Sequence, residues 1–144
     1  MKKILLFAVL SISLLGCKIN KTVNGFREGV WKEKYALDNQ NNKLIYKSKE
    51  VYKKGMPVGT WKYYLDGKIN KKERYCKDST AIITYYYSNG KVEKKGKAKT
   101  EITLKELHWF YSGPWKFYSA EGKLDSITQY KNGIAVKTDC IKQN

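Results

Sequence analysis

The chain is short of the residues that carry most enzyme chemistry. It has one histidine, two prolines and three cysteines among 144 residues. The single histidine, His108, builds neither a catalytic triad nor a conventional zinc site without cysteine partners. It reads as a strand residue facing a tryptophan. There is no phosphate-cradling P-loop, no H-E-x-x-H and no G-x-S-x-G. Acidic residues are also scarce, 13 against 29 Lys and Arg, dispersed along the chain and often beside Lys, as in Lys32-Glu33-Lys34 and Lys72-Glu73-Arg74. No pair of carboxylates stands out for glycoside chemistry. The expectation is a protein with no catalytic residue, no metal site and no cofactor.

Arginine is nearly absent: Arg27 and Arg74 stand against 27 Lys. Phosphate sites favour the bidentate Arg fork, whereas Lys is a hydrated point charge. The net charge of +16 therefore reads first as a solvated Lys-rich surface, with no nucleic acid partner expected. Alternation along a strand would point Lys95, Lys97 and Lys99 one way and Lys94 the other. That leaves few charges on each face, enough for weak, non-specific contact with polyanions.

Long apolar runs are missing except one. Ile4 to Leu15 is apolar apart from two serines, follows Lys2 and Lys3, and is too short to span a bilayer, which takes about 20 residues. Positive charge, a short apolar stretch and small residues at a cut make a secretion signal. Leu14-Leu15-Gly16-Cys17 resembles a lipobox. That resemblance implies residues 1–16 are removed and Cys17 becomes a lipid-bearing N-terminus. The alternative is an ordinary signal with a coincidental cysteine. Each buried CH₂ contributes roughly 0.8 kcal/mol, so two or three acyl chains anchor a protein stably. Loss of Lys2 and Lys3 with the signal lowers the +16 to +14. The mature start, Cys17-Lys18-Ile19-Asn20, lacks an Asp after the lipid cysteine, which favours the outer membrane facing the periplasm. In a Gram-positive host the anchor would face outward from the cytoplasmic membrane.

What is abundant is aromatic. Phe, Trp and Tyr make 14% of the chain, and with so little proline this favours strands. The aromatics recur in a repeat. Asn24 to Trp31 (N-G-F-R-E-G-V-W) and Lys54 to Trp61 (K-G-M-P-V-G-T-W) share Gly25, Gly29 and Trp31 with Gly55, Gly59 and Trp61. A third copy decays to Asp78, Ile82 and Thr84, where the last two replace Gly and Trp. A fourth keeps Gly113 and Trp115, with Trp109 at its first Gly, where a local twist or an extra strand is expected. Asn132-Gly133 opens a last one. Each aromatic run leads to a turn: Asp66-Gly67, Asn89-Gly90 or Glu121-Gly122. Asp-Gly and Asn-Gly favour tight primed hairpin turns, because both central residues need positive φ. The first copy is stretched at Asp38 to Asn42 and the third between Lys95 and Leu107.

The fold class expected is all-β: an antiparallel meander of stacked β-hairpin repeats forming a single sheet. A lone hairpin is marginal in water, so neighbours share an aromatic face. Trp31, Trp61 and Trp115 then read as packing residues of that face. The boundaries are a signal at 1–16, a lipidated start and linker at 17–24, a repeat domain at 25–140 and a tail at 141–144. Cys76 and Cys140 form an even pair in an oxidising compartment, either bridged or present as two buried free thiols.

The G-x-x-x-G-x-W starts, the paired aromatics and the following x-G-K resemble the MORN repeat variant of bacterial secreted and antitoxin-type proteins. The likeness is specific in the first, second and fourth copies and weak in the third. It implies a hairpin-repeat sheet acting as a scaffold for a protein partner, here in a lipid-anchored form. Two alternatives remain open: an immunity protein neutralising a toxin, and an envelope glycan hydrolase.

Overall fold

The computed structural model describes residues 18–39, 42–102 and 107–141. Cys17 and residues 1–16, expected to be a secretion signal, lie outside the described residues. The chain forms one antiparallel sheet of 11 strands and, among the described residues, no helix. The strands are β1 (Lys21–Val23), β2 (Phe26–Asn39), β3 (Asn42–Lys53), β4 (Met56–Pro57), β5 (Thr60–Leu65), β6 (Lys68–Tyr75), β7 (Thr80–Tyr86), β8 (Val92–Ile102), β9 (Leu107–Tyr118), β10 (Leu124–Lys131) and β11 (Ile134–Cys140). Their order across the sheet is their order in the chain, with β4 as a short flap on β3. Residues 21–23, expected to be linker, pair as β1 against β2, and β11 forms the opposite edge.

Turn chemistry sets the hairpins. Asn24-Gly25, Lys54-Gly55, Asp66-Gly67 and Asn132-Gly133 each hold both residues at positive φ, the primed geometry that matches strand twist. Asn89-Gly90 departs from expectation. Only Gly90 has positive φ, and the wider turn closes by Gly90 N–H donating to Tyr87 O and Tyr87 N–H to Lys91 O. The turn at Ser119 to Lys123 is built in the same way around Gly122.

The stretched copies lengthen strands. β2 and β3 run 14 and 12 residues, and β8 and β9 run 11 and 12. Where a twist or extra strand was expected at Trp109, β9 continues as one strand from Leu107 to Tyr118 and pairs regularly there; its irregularity against β8 comes later, where Gly113, Pro114 and Trp115 stand opposite Gly96.

Register corrects the third copy. Trp31 pairs with Glu50, Trp61 with Glu73 and Trp115 with Thr128. The equivalent pair in the third hairpin is Ile83 with Gly96, so Ile83 and not Thr84 holds the tryptophan position. The cause is a missing residue. Gly29, Gly59 and Gly113 take positive φ two residues before each tryptophan, a conformation that glycine adopts without a Cβ clash. The third copy has Ile82 two residues before Thr84, with no such glycine, and its strand alternation starts one position earlier.

One face of the sheet is aromatic. Trp61, Tyr63, Ala81, Ile83, Ala98 and Trp115 are buried there. Ring contacts run from Trp31 to Tyr52, Trp61 and Tyr75, then resume at Tyr85, Trp115, Tyr111 and Tyr130. The repeat tryptophans share one further bond, donating Nε1–H to a carbonyl of the preceding strand. Trp31 reaches Lys21 O at 3.1 Å, Trp61 reaches Val51 O at 2.9 Å and Trp115 reaches Lys97 O at 2.8 Å. Buried indole N–H groups need such a partner.

Candidate functional site

Two carboxylates that looked dispersed in the sequence come to the aromatic face. Glu50 and Glu73 stand two strands apart with Trp61 between them, and both are buried. Each belongs to an E-x-Y triplet in a return strand. Glu50 Oε2 accepts from Tyr52 OH at 2.8 Å and from Arg27 at 3.4 Å. Glu73 Oε2 accepts from Tyr75 OH at 2.8 Å and Tyr63 OH at 3.1 Å, while Lys71 Nζ lies 2.8 Å from Oε1. Buried charges need this degree of pairing. Burial, reinforced by Glu50, pushes the Tyr52 hydroxyl up to about 12. Burial beside Glu73 raises Tyr63 and Tyr75 as well. These phenols are held neutral as donors, and the pairs act as pins in the sheet.

The opposite face carries the cations. Across consecutive strands, Lys32 pairs with Lys49, Lys49 with Lys62 and Lys62 with Lys72. Lys72 then pairs with Thr84, Thr84 with Lys95 and Lys95 with Lys116. Six lysines thus form one row over the seven strands from β2 to β9 that make this path, interrupted at Thr84. Among the described residues none of the six makes a salt bridge. Like charges placed directly opposite destabilise a sheet. Arg74, Lys97 and Lys99 lie on the same face beside the row. Lys95, Lys97 and Lys99 point together as alternation required, while Lys94 turns to the aromatic face and lies over Tyr85 at 4.6 Å. Along any one strand the charges are few. Across the strands they accumulate.

Between β7, β8 and β9 this face has a shallow depression of about 640 Å³ lined by Ile82, Lys95, Lys97, Pro114, Lys116 and Tyr118, among others. A smaller one of about 240 Å³ lies over Thr84, flanked by Lys72, Arg74, Tyr86 and Lys95.

A family model described as MORN repeat variant matches the chain at residues 80–99 and 111–132. The chain carries MORN repeats of the variant type. The matched stretches are the β7–β8 hairpin and the β9–β10 hairpin with the turn that follows. This corrects the weight given to the copies, since the third, which looked most decayed, is matched and the first two are not. The two MORN hairpins share the wide turn built on Gly90 and Gly122, and their tips are locked together. Tyr87 OH donates to Tyr118 O at 2.7 Å, Asn89 Nδ2 to Ala120 O at 2.9 Å and Lys91 Nζ to Glu121 O at 2.9 Å. No curated protein and no solved structure matches the chain.

The remaining sequence-derived sites are scattered. His108 is exposed on β9, paired with Glu101, and its ring neighbour is Phe110 at 6.1 Å, not a tryptophan. Cys76 and Cys140 are free thiols, and both are exposed where burial was expected of unbridged ones. Cys76 follows β6 and Cys140 ends β11, five strand spacings away, about 24 Å at about 4.8 Å per strand. A disulfide needs Cα atoms within about 7 Å. Among the described residues no three His, Cys, Asp or Glu side chains converge as metal ligands.

Proposed function

We propose that this protein is a non-catalytic binding scaffold of the cell envelope, anchored by lipid on Cys17 at the outer membrane and facing the periplasm. The observation that carries the reading is the unequal use of the two faces. The middle of the aromatic face is consumed by its own packing, with Trp115 fully buried and both glutamates tied to tyrosines, while Tyr35 and Trp109 stay exposed away from it. The lysine face is left open, with Lys32, Lys49, Lys62, Lys95 and Lys116 exposed. A repeat sheet extends such a face strand by strand, which suits presentation of a surface more than enclosure of a reaction. The signal pattern ending in Leu14-Leu15-Gly16-Cys17 supports the anchor, and Lys18 in place of an acid after it supports the outer membrane.

Photo-activatable cross-linkers at Lys62 and Lys116 on the lysine face, and at the exposed Tyr35 on the other, test this in intact cells. Adducts are expected from the lysine face and from membrane-bound protein. A protein recovered from the soluble fraction with no adduct from any position removes the reading.

A further inference from the structure

We propose that the lysine row and a row of tyrosines beside it form a linear track for an acidic polysaccharide carrying a carboxylate on successive sugars. The inference rests on the scaffold reading of the same face and names the ligand class that face would hold.

The first observation is the spacing. Strands lie about 4.8 Å apart, so the path from Lys32 on β2 to Lys116 on β9 spans about 29 Å with a cation at nearly every step. That step is close to the length of one pyranose residue in an extended chain. A compact anion neutralises one or two of these charges, whereas a linear polymer in register with the strands neutralises them all. None of the six lysines is in a salt bridge among the described residues, so an anionic chain laid along the row relieves the like-charge opposition.

The second observation is independent of charge. Tyr64, Tyr86 and Tyr118 each stand two residues beyond a member of the row, after Lys62, Thr84 and Lys116, and so on the same face. They occur on every second strand, about 9.5 Å apart, which is near a disaccharide repeat. All three residues are half-buried. Flat aromatic rings are the usual platform for the apolar face of a pyranose. The smaller depression, bounded by Tyr86, lies over Thr84, where a lysine is replaced and room is left; the larger, bounded by Tyr118, lies at the β9 end of the track, lined by Lys95, Lys97, Lys99 and Lys116 with one acid, Asp78, at its rim.

The test uses the full lipidated chain in neutral detergent and measures affinity for polygalacturonate, its methyl-esterified uncharged form, and polyphosphate of matched charge. Two triple variants carry the same charge change: Lys62→Gln/Lys72→Gln/Lys95→Gln in the row, and Lys21→Gln/Lys68→Gln/Lys123→Gln outside it. Polygalacturonate is expected to bind, the esterified form not to bind, and the row variant to weaken binding at least tenfold. The off-row variant should change it less than threefold. Tyr86→Leu should weaken polygalacturonate severalfold without altering the salt dependence, and leave polyphosphate untouched. Thermal unfolding of each variant checks folding; if the row triple does not fold, Lys62→Gln and Lys95→Gln singly should each cost about threefold. Equal loss from both triples, equal sensitivity of polyphosphate to Tyr86→Leu, or no polygalacturonate binding overturns the proposal. Photo-adducts to a protein at Lys62 with no polygalacturonate binding would overturn the glycan and leave the scaffold standing.

Discussion

Gly96 and Trp115 occupy one site. A Cβ on Gly96 would lie 2.4 Å from the indole of Trp115, so the ring lies directly on the bare backbone of β8. Trp115 is 0% exposed, stacks on Tyr111 at a centroid distance of 3.6 Å, and packs with Ala81, Ile83 and Ala98. Gly96 pairs with Ile83, the position that holds tryptophan in the first, second and fourth units. The third unit is therefore decayed for a reason. Its small residues form the socket for the tryptophan of the fourth.

Gly96→Ala should destabilise the protein by about 1–3 kcal/mol through overpacking. Because Gly96 is not among the residues at positive φ, the penalty is steric, and shrinking the ring with Trp115→Leu in the same chain should recover part of it. Urea unfolding of the two single variants and the double variant measures this. Additive losses would show that the contact is not the cause.

Trp115→Phe keeps a ring but deletes the donor to Lys97 O, and leaving a buried acceptor unpaired costs about 1–3 kcal/mol. Trp31→Phe should cost less, because Trp31 is only half-buried at the edge of the sheet. The ranking, read from denaturation midpoints, is the result to check.

Glu73→Ala removes the acceptor for Tyr63 and Tyr75 and the partner of Lys71, leaving polar groups unpaired in the sheet. Breaking a buried pair from one side costs about 3–5 kcal/mol. Glu73→Gln keeps an acceptor oxygen and should cost distinctly less. Equal losses would place the effect in packing and not in the hydrogen bonds.

Alkaline pH should unfold the protein from the aromatic face. Burial, first, and hydrogen bonding to Glu50 raise Tyr52 to about 12, against about 10 for a free phenol. Between those values the unfolded chain has lost a proton that the folded chain retains, so stability falls as pH rises. The contribution is complete below pH 10 and is lost as pH climbs toward 12; the raised Tyr63 and Tyr75 act in the same sense. Tyrosinate absorbance and unfolding free energy should change together over this window. Early ionisation of all twelve tyrosines without unfolding would refute it.

Cys76 and Cys140 should both react with a maleimide in native, non-reduced protein, since both are exposed and lie far apart, one just after β6 and the other at the end of β11. Mass spectrometry should show two adducts on these residues. A product lacking both and lighter by two hydrogens would mean an internal bridge and a different strand order.

Much of this architecture is local and was legible in the sequence. Alternation in runs such as Trp61 to Leu65 and dipeptides such as Asp66-Gly67 specify a strand and its turn from adjacent residues alone, so the hairpins, their order and the single open sheet follow. Trp31, Trp61 and Trp115 marked the aromatic face. Register was decided only by tertiary structure. It depends on whether a glycine such as Gly59 inserts a residue at positive φ and on which residue the neighbouring strand offers, and neither is a property of one strand. Hence Ile83 stands where Thr84 was expected, Glu50 and Glu73 share a face, and Gly96 waits under a tryptophan from the next unit. For the same reason the lysine row was invisible along the chain. Its members are separated by as many as 23 residues, as Lys72 is from Lys95, and only strand pairing brings them side by side.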